Sequence, residues 1–286
     1  MAVRAKAGAG KEASRGKGKT RIPRTTRGEK GGATKKRAGL RERSAPILPG
    51  RDLETDVLIV GYGAAGANAA IAAHDAGART LVIEKLGYPG GNSGVCAGAM
   101  VIPESLEEAV AYYRALSFGT VEEEIIRCFA EQMVGIPRLL TGLGIEFTVR
   151  RTEPAYFPSF LAGQVKRIQV SPTGAEGFRL LNRVVQGRGI EILMETPATA
   201  LIQAPGTREV IGVRAKRKGK EIVLLARRGV ILACGGYEYN PEMLANFHFP
   251  GATGYIFPWG TPGNTGDGIP LAAGAGAALW HIASIE

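Results

Sequence analysis

An α/β fold, with a parallel sheet, covering helices and an antiparallel meander, is predicted by three features of the sequence. Two short apolar runs, DVLIV (56–60) and TLVIE (80–84), flank a glycine turn and an alanine-rich stretch. Strand-like stretches at 199–203, 209–214 and 221–226 follow one another across gaps of turn length. Glycine supplies 41 of 286 residues, about twice ordinary usage and without a collagen period. A surplus of that kind goes with backbone that must turn tightly or approach a neighbour closely.

The charge separates a tail from the folded part. Of the 36 Lys and Arg, 15 lie in residues 1–50, with three acids (Glu12, Glu29 and Glu42). That segment is therefore net +12, and the remainder, 21 basic against 23 acidic residues, is net −2. Residues 1–50 have almost no aliphatic or aromatic side chains before Ile47, so they are predicted to be a disordered basic tail. The tail has no apolar core of a secretory signal. A transit peptide, a weak contact with anions or nucleic acid, and a merely solvated extension all stay open for it. Gly18-Lys19-Thr20 imitates the end of a phosphate-binding loop, but Ala13 stands where the earlier glycine is required and no strand precedes it. Residues 51–286 are predicted to form the folded domain.

Each element of that domain follows from local pattern. DVLIV reads as a strand buried on both faces of a parallel sheet. It runs into Gly61-Tyr62-Gly63-Ala64-Ala65-Gly66, a helix over about 64–76, a stop at Gly77 and the second strand TLVIE. This is a βαβ unit with the G-x-G-x-x-G spacing. Gly61 permits the tight turn, Gly63 lets a pyrophosphate reach the backbone, and Gly66 lets helix and strand pack closely. The helix N-terminus offers free N–H groups to a diphosphate. Glu84, 18 residues after Gly66, ends the second strand where a carboxylate can hold an adenosine ribose and disfavour a 2′-phosphate. The spacing alone also fits a glycine-rich turn that binds nothing. With the strand before it, the helix after it and the acid at this distance, the unit is expected to be Rossmann-like and to bind a dinucleotide. By itself it does not separate NAD from FAD.

A second glycine loop follows, Gly90-Gly91-Asn92-Ser93, then Gly94 to Met100, which suits the wrapping of an extended ligand. Thr120-Val121-Glu122-Glu123 reads as a capping box opening a helix with Ile125, Ile126, Phe129 and Met133 on one side, broken or kinked at Pro137. A short strand is expected at 145–149, a helix at about 175–187, and a strand at 190–194. The meander then precedes GVILAC, which re-enters the parallel sheet. The region 151–170, with Tyr156, Phe157, Phe160 and Arg167, reads either as a loop near a substrate or as an irregular cover. Arg150 and Arg151 could bind an acidic substrate, although basic residues at a strand end are usually solvated.

Several function classes are excluded. Cys96, Cys128 and Cys234, with His74, His248 and His281, lie far apart and form no zinc or disulfide spacing. No metal site is expected, and a reducing, cytoplasmic setting fits. The longest small-apolar stretch, 59–73, falls short of the ~20 residues of a membrane span.

Five segments in order resemble the FAD-binding part of the succinate dehydrogenase/fumarate reductase flavoprotein family, which includes fumarate reductases and 3-ketosteroid dehydrogenases. They are VGYGAAG with Glu84-Lys85, then GGNS–AGA, ETPATALI (195–202), GVILACGGYEYN (229–240) and GNTGDGIPLAAGAGA (263–277). The resemblance covers roughly 55–282. It implies FAD as cofactor, with Gly61, Gly63, Ala65 and Gly66 around the diphosphate and Glu84 on the ribose with Lys85 beside it. Gly91, Asn92 and Ser93 would line the diphosphate and flavin side, and Ala97, Gly98 and Ala99 would approach the isoalloxazine. Ala198 would touch adenine, Gly235 and Gly236 would let the chain pass the cofactor, and Asp267 would face the flavin.

Departures from the family also carry meaning. Some members attach FAD through a histidine in the loop after the second strand. That loop here holds Asn92-Ser93, so non-covalent FAD is expected. Ala99 stands where a glycine is frequent, and Cys234 where threonine is frequent; Cys234 reads as a small buried residue. Relatives continue into a capping domain and then a return segment that completes the flavin site. That later portion carries the arginine that donates a proton in the fumarate-reducing members. This chain, ending at Glu286, is therefore expected to be about the first half of a flavoenzyme, and no catalytic residue is assigned. The activity implied is hydride transfer between flavin and a C–C bond next to a carbonyl or carboxylate, with an unsaturated acid or ketosteroid-like substrate and a separate electron donor or acceptor. A non-catalytic FAD-binding module and a nicotinamide-dependent dehydrogenase are the alternatives.

Overall fold

The computed structural model describes residues 52–152, 165–171, 173–248, 258–280 and 282. The basic tail and the aromatic stretch Tyr156, Phe157 and Phe160 lie outside the described residues. A six-stranded sheet has the order β6-β2-β1-β9-β8-β7. β1 (Leu53–Val60), β2 (Thr80–Ile83) and β6 (Glu191–Leu193) are parallel to one another, and β9 (Lys220–Leu232) is parallel to β1. β7 (Ala198–Gln203) and β8 (Val210–Arg217) extend it antiparallel through β9. The parallel core with an antiparallel extension is the architecture predicted.

Burial explains why β1 and β2 carry no polar alternation. Ile59 and Val82 point to one core with the helices, while Leu58, Val60, Leu81 and Ile83 point to a second core with Val213, Ala215 and Leu224 on β8 and β9. A strand with both faces covered must be apolar throughout. α1 (Ala64–Asp75) lies on the first face through Ala67 and Ala70, both fully buried. Their small side chains bring the helix axis close to the sheet. α4 (Gly174–Gly187) packs beside it through Phe178, Leu181 and Val185, with Thr173 Oγ1 accepting from the Glu176 N–H at its start.

The meander strand and the returning parallel strand, expected as two, are one. β9 pairs antiparallel with β8 over 220–225 and parallel with β1 from Leu224 onward. The register slips between Thr55 and Val57, opposite Ala226 and Gly229, and Gly229 has φ +156°. A bulge at Arg227-Arg228, rather than a loop, separates the halves. Arg227 is tied there by Glu54 at 2.5 Å.

The middle of the chain departs from expectation in three places. First, α2 (Leu106–Leu116) was not foreseen, and the capping box belongs to it: Ser105 Oγ accepts from Glu108 N–H while Glu108 accepts from Ser105 N–H. Thr120 instead bonds back to the Ser117 carbonyl in the α2–α3 turn, and Glu123 pairs with Arg114, so α3 (Glu123–Gly142) starts without a side-chain cap. Second, the buried face of α3 is Ile126, Ala130 and Leu140; Ile125 and Phe129 are exposed, Phe129 resting edge-on against Tyr113. The helix continues through Pro137, losing one backbone bond rather than ending. Third, Ile145 starts no strand. Its N–H bonds to the Leu140 carbonyl at 2.9 Å, the Gly144 N–H bonds to Thr141, and Gly144 has φ +69°. This is a Schellman stop, in which the apolar residue after the glycine plugs back onto the helix. β4 (Thr148–Thr152) begins beyond it and joins β3 (Ala99–Ile102) and β5 (Val165–Gln169) in a second antiparallel sheet of order β3-β5-β4. Arg150 and Arg167 are cross-strand partners there.

α5 (Pro241–Phe247) and α6 (Gly268–Gly274) complete the domain. Among the described residues no helix is long and apolar enough to cross a membrane, and no group of three His, Cys, Asp or Glu could hold a metal ion. All three cysteines are unpaired.

Candidate cofactor site

The C-terminal ends of β1, β2 and β9 open onto one cavity of about 330 Å³. The apolar strands deliver their polar ends there because each chain turn must leave the sheet at that edge, where doubly wound sheets place their ligands. Twelve of the sixteen predicted residues line it: Gly61, Gly63, Ala65, Glu84, Lys85, Gly91, Asn92, Ser93, Ala198, Gly235, Gly236 and Asp267.

The three glycines of the first turn are glycine for different reasons. A Cβ on Gly61, at φ +104°, would lie 2.2 Å from the Ala233 carbonyl oxygen. One on Gly66 would lie 2.0 Å from the Gly61 oxygen. Both contacts are backbone against backbone, so these residues serve the fold. A Cβ on Gly63 would meet nothing nearer than Gly90 O at 3.5 Å and Ser93 Oγ at 3.8 Å, and Gly63 has φ −90°. The protein does not itself require glycine at this position. The missing side chain leaves room inside the cavity.

Hydrogen-bond donors surround that room. Gly63 and Gly90 form a parallel bridge that brings the two glycine turns together. Ser93 Oγ accepts from the Ala64 N–H at 3.1 Å, which leaves its hydroxyl proton to donate. The N–H groups of Ala65 and Gly66, at the start of α1, and of Gly91 and Asn92 find no protein acceptor among the described residues. No acidic side chain occupies the first turn of α1. Free N–H groups, a helix N-terminus and no competing carboxylate suit a diphosphate.

Glu84 is 8% exposed, and its two oxygens accept from the Tyr62 N–H at 2.8 Å and the Leu86 N–H at 2.9 Å. Each oxygen keeps a lone pair for a ribose hydroxyl. Beside it, Lys85 Nζ donates to Asp267 Oδ2 at 2.6 Å and to Thr265 Oγ1 at 2.7 Å, and Thr265 donates to Asp267 Oδ1 at 2.7 Å. Burial disfavours the Asp267 carboxylate, but the hydrogen bonds from Lys85 and Thr265 outweigh it and hold its pKa below the usual 3.8. A depressed folded pKa contributes stability that is complete above the unfolded value and lost as pH falls through the folded one. The Lys85 link between the end of β2 and the start of α6 is therefore expected to contribute fully at neutral pH. It is lost only in acid, as pH falls from the unfolded carboxylate value toward the lower folded one. Asp267→Asn should remove that acid step from a pH titration of thermal stability, and an unchanged step would refute the assignment. Cys234 lies under the same wall, where burial first and the Asp267 charge second push its thiol up to about 11. It is a packed thiol, as read from the sequence.

The remaining predicted residues sit elsewhere. Gly66 is buried under the turn. Gly98 and Ala99 line a neighbouring apolar cavity of about 270 Å³ with Met100, Ile136, Leu140 and Phe178, and Ser93 and Ala64 border both cavities. Ala97 lines neither; its carbonyl accepts from Gln169 Nε2. Sequence reasoning passed over Thr196, Thr261, Gly263, Asn264 and Leu271, which also line the main cavity. For Asn264 a signal was present, in the polar residue next to Gly263 within GNTGDG.

Residues 56–284 match the family described as FAD binding domain, and the chain belongs to it. This is a flavoprotein domain with FAD as its cofactor. It is 28% identical to the NADH:fumarate oxidoreductase of Klebsiella pneumoniae (strain 342), over 81% of this chain and 25% of that protein. It is also 28% identical to the urocanate reductase of Eggerthella lenta, over 86% of this chain and 42% of that protein. Among solved structures, the 3-ketosteroid-Δ4-(5α)-dehydrogenase of Rhodococcus jostii RHA1 superposes with a TM-score of 0.71 at 25% identity, covering 85% of this chain and 58% of that one. The chain thus spans between a quarter and three-fifths of the length of these relatives.

Proposed function

We propose that the protein is an FAD-dependent oxidoreductase that transfers hydride between the flavin and a C–C bond next to a carbonyl or carboxylate. The observation that carries the cofactor half of this reading is the room at Gly63, which the fold leaves vacant and a diphosphate would fill. The redox half rests on kinship with the fumarate, urocanate and ketosteroid enzymes. When bound, the flavin supplies the hydride-transferring ring; the protein binds and orients it.

In this reading Gly61, Gly63 and Ala65 cradle the diphosphate, joined by Gly91 and the Ser93 hydroxyl, while Gly66 lets α1 pack against the turn that holds them. Glu84 accepts from the ribose, and Lys85 fixes Asp267 at the cavity wall. Ala198 meets the adenine, and Gly235 and Gly236 give the cofactor close backbone approach. Ala97, Gly98 and Ala99 border the isoalloxazine side. FAD is held without a covalent bond, because the 90–95 loop offers no histidine. Residues 51–286 are the FAD-binding domain, residues 1–50 a basic extension, and unpaired cysteines fit a cytoplasmic setting. The substrate is a small unsaturated acid or a ketosteroid-like compound, and a separate partner exchanges electrons.

Purified protein reconstituted with FAD should show flavin absorbance and release the pigment into acid supernatant. The intact gene product, reconstituted in the same way, should then oxidise reduced viologen with an unsaturated acid, or reduce a dye acceptor with a ketosteroid. Bound FAD with no turnover of either class would overturn the catalytic reading and leave a cofactor-binding module. A colourless protein in excess FAD would overturn the site.

A further inference from the structure

Three segments that border the cavity are far apart in sequence: the second glycine turn, the turn after β9, and the 258–265 loop. One side chain joins all three. Glu238 Oε1 accepts from Asn92 Nδ2 at 2.6 Å and from Asn264 Nδ2 at 2.7 Å. The other end of the Asn92 amide, Oδ1, accepts from the Thr261 N–H at 2.9 Å. Asn264, 6% exposed, lies over Gly235, where a Cβ would come within 2.6 Å of its Oδ1. Space for the carboxylate is made by two more glycines: a Cβ on Gly236 would lie 2.5 Å from Glu238 Oε2, and one on Gly260 would lie 3.0 Å from Oε1 and 2.5 Å from Asn92 Oδ1. A side chain at either position would force the ends of Glu238 and Asn92 to shift from the junction they form.

From this arrangement we infer that Glu238 is a positioning residue for the cofactor. Its carboxylate latches the second glycine turn to the 258–265 loop, so that Gly91 and Ser93 on one side and Gly235 and Gly236 on the other are held at a fixed separation across the cavity. Both ends of the Asn92 side chain are engaged by protein, which fixes the amide at the cavity wall as part of the latch. An acceptor that serves two amide donors at once is needed, and a carboxylate oxygen or an amide oxygen meets that need. Charge is not what the junction uses. The inference rests on the FAD reading of the cavity and concerns the rate at which the ligand leaves.

The test is FAD release from the reconstituted protein, followed by recovery of flavin fluorescence after dilution, alongside thermal melting of the FAD-free protein. Glu238→Ala and Asn92→Ala should each speed release about tenfold or more. The double variant should be no faster than either single one, because both break the same latch. Glu238→Gln, which keeps an acceptor oxygen, should stay within about threefold of the unaltered protein. Additive effects of the two alanine variants would overturn the inference, as would Glu238→Ala releasing FAD at the unaltered rate. A purely structural role would lower the melting temperature of the FAD-free protein in Glu238→Gln and Glu238→Ala alike. If Glu238→Ala does not fold, Asn92→Ala against Glu238→Gln decides: equal release rates for those two overturn the latch. Failure of the unaltered protein to take up FAD would condemn the cavity reading instead.

Discussion

Gly63→Ala is expected to fold and to lose FAD, whereas Gly66→Ala is expected to lose the fold. At Gly63 a methyl group meets only ordinary van der Waals contacts, 3.5 Å to Gly90 O and 3.8 Å to Ser93 Oγ, and φ is −90°. The stability cost is that of alanine at a helix N-cap, about 1 kcal/mol. In the proposed reading the methyl nevertheless takes up room at the glycine turn that the diphosphate needs. Affinity for FAD should fall by about 100-fold or more, some 3 kcal/mol. At Gly66 the added carbon would stand 2.0 Å from the Gly61 oxygen and 3.0 Å from its carbon, both backbone atoms that cannot rotate away. Overpacking of this kind costs about 3 kcal/mol or more. Urea unfolding and FAD titration on the two variants separate the effects. Equal loss of stability in both would show that Gly63 serves the fold after all.

Glu84→Ala should damage stability and binding together. Its carboxylate is the acceptor for the Tyr62 and Leu86 N–H groups, and at 8% exposure water replaces it poorly. Two unsatisfied N–H groups cost about 2–4 kcal/mol in total, a fall in Tm of roughly 5–15 °C for a domain of this size. In the proposed reading the ribose loses its acceptor as well, so FAD affinity should drop at least about tenfold. Glu84→Gln should be intermediate in stability, because one amide N–H must then face a backbone N–H. A melting curve for Glu84→Ala that matches the unaltered protein would remove Glu84 from this role.

What could be read from the sequence was what depends on local pattern. The βαβ unit, its glycines and Glu84 lie within 30 residues and obey the same short-range sterics in any chain. The cavity lining from distant segments came from family likeness, not from pattern: nothing in GNTGDG alone says that Asn264 will cover Gly235. The misreadings have one kind of cause, a local signal claimed by a different partner. Thr120 and Glu123 have capping-box spacing, yet Glu123 is taken by Arg114 and the box forms at Ser105. Ile145 looks like the first residue of a strand but serves as the plug of a helix stop. Phe129 fits the apolar side of α3 by type, yet it stays outside to meet Tyr113.

The sharing of β9 has a consequence for how the holoprotein comes into being. β1 ends in the first glycine turn, and its other neighbour in the sheet, β9, is completed only at Leu232, so the floor under Gly61 is supplied by Ala233. During synthesis the nucleotide-binding signature therefore leaves the ribosome without a surface to rest on. At about 5–20 residues per second it waits roughly 10–30 s for that surface. Capture of FAD is a late event, and nascent chains interrupted before β9 should emerge empty of flavin.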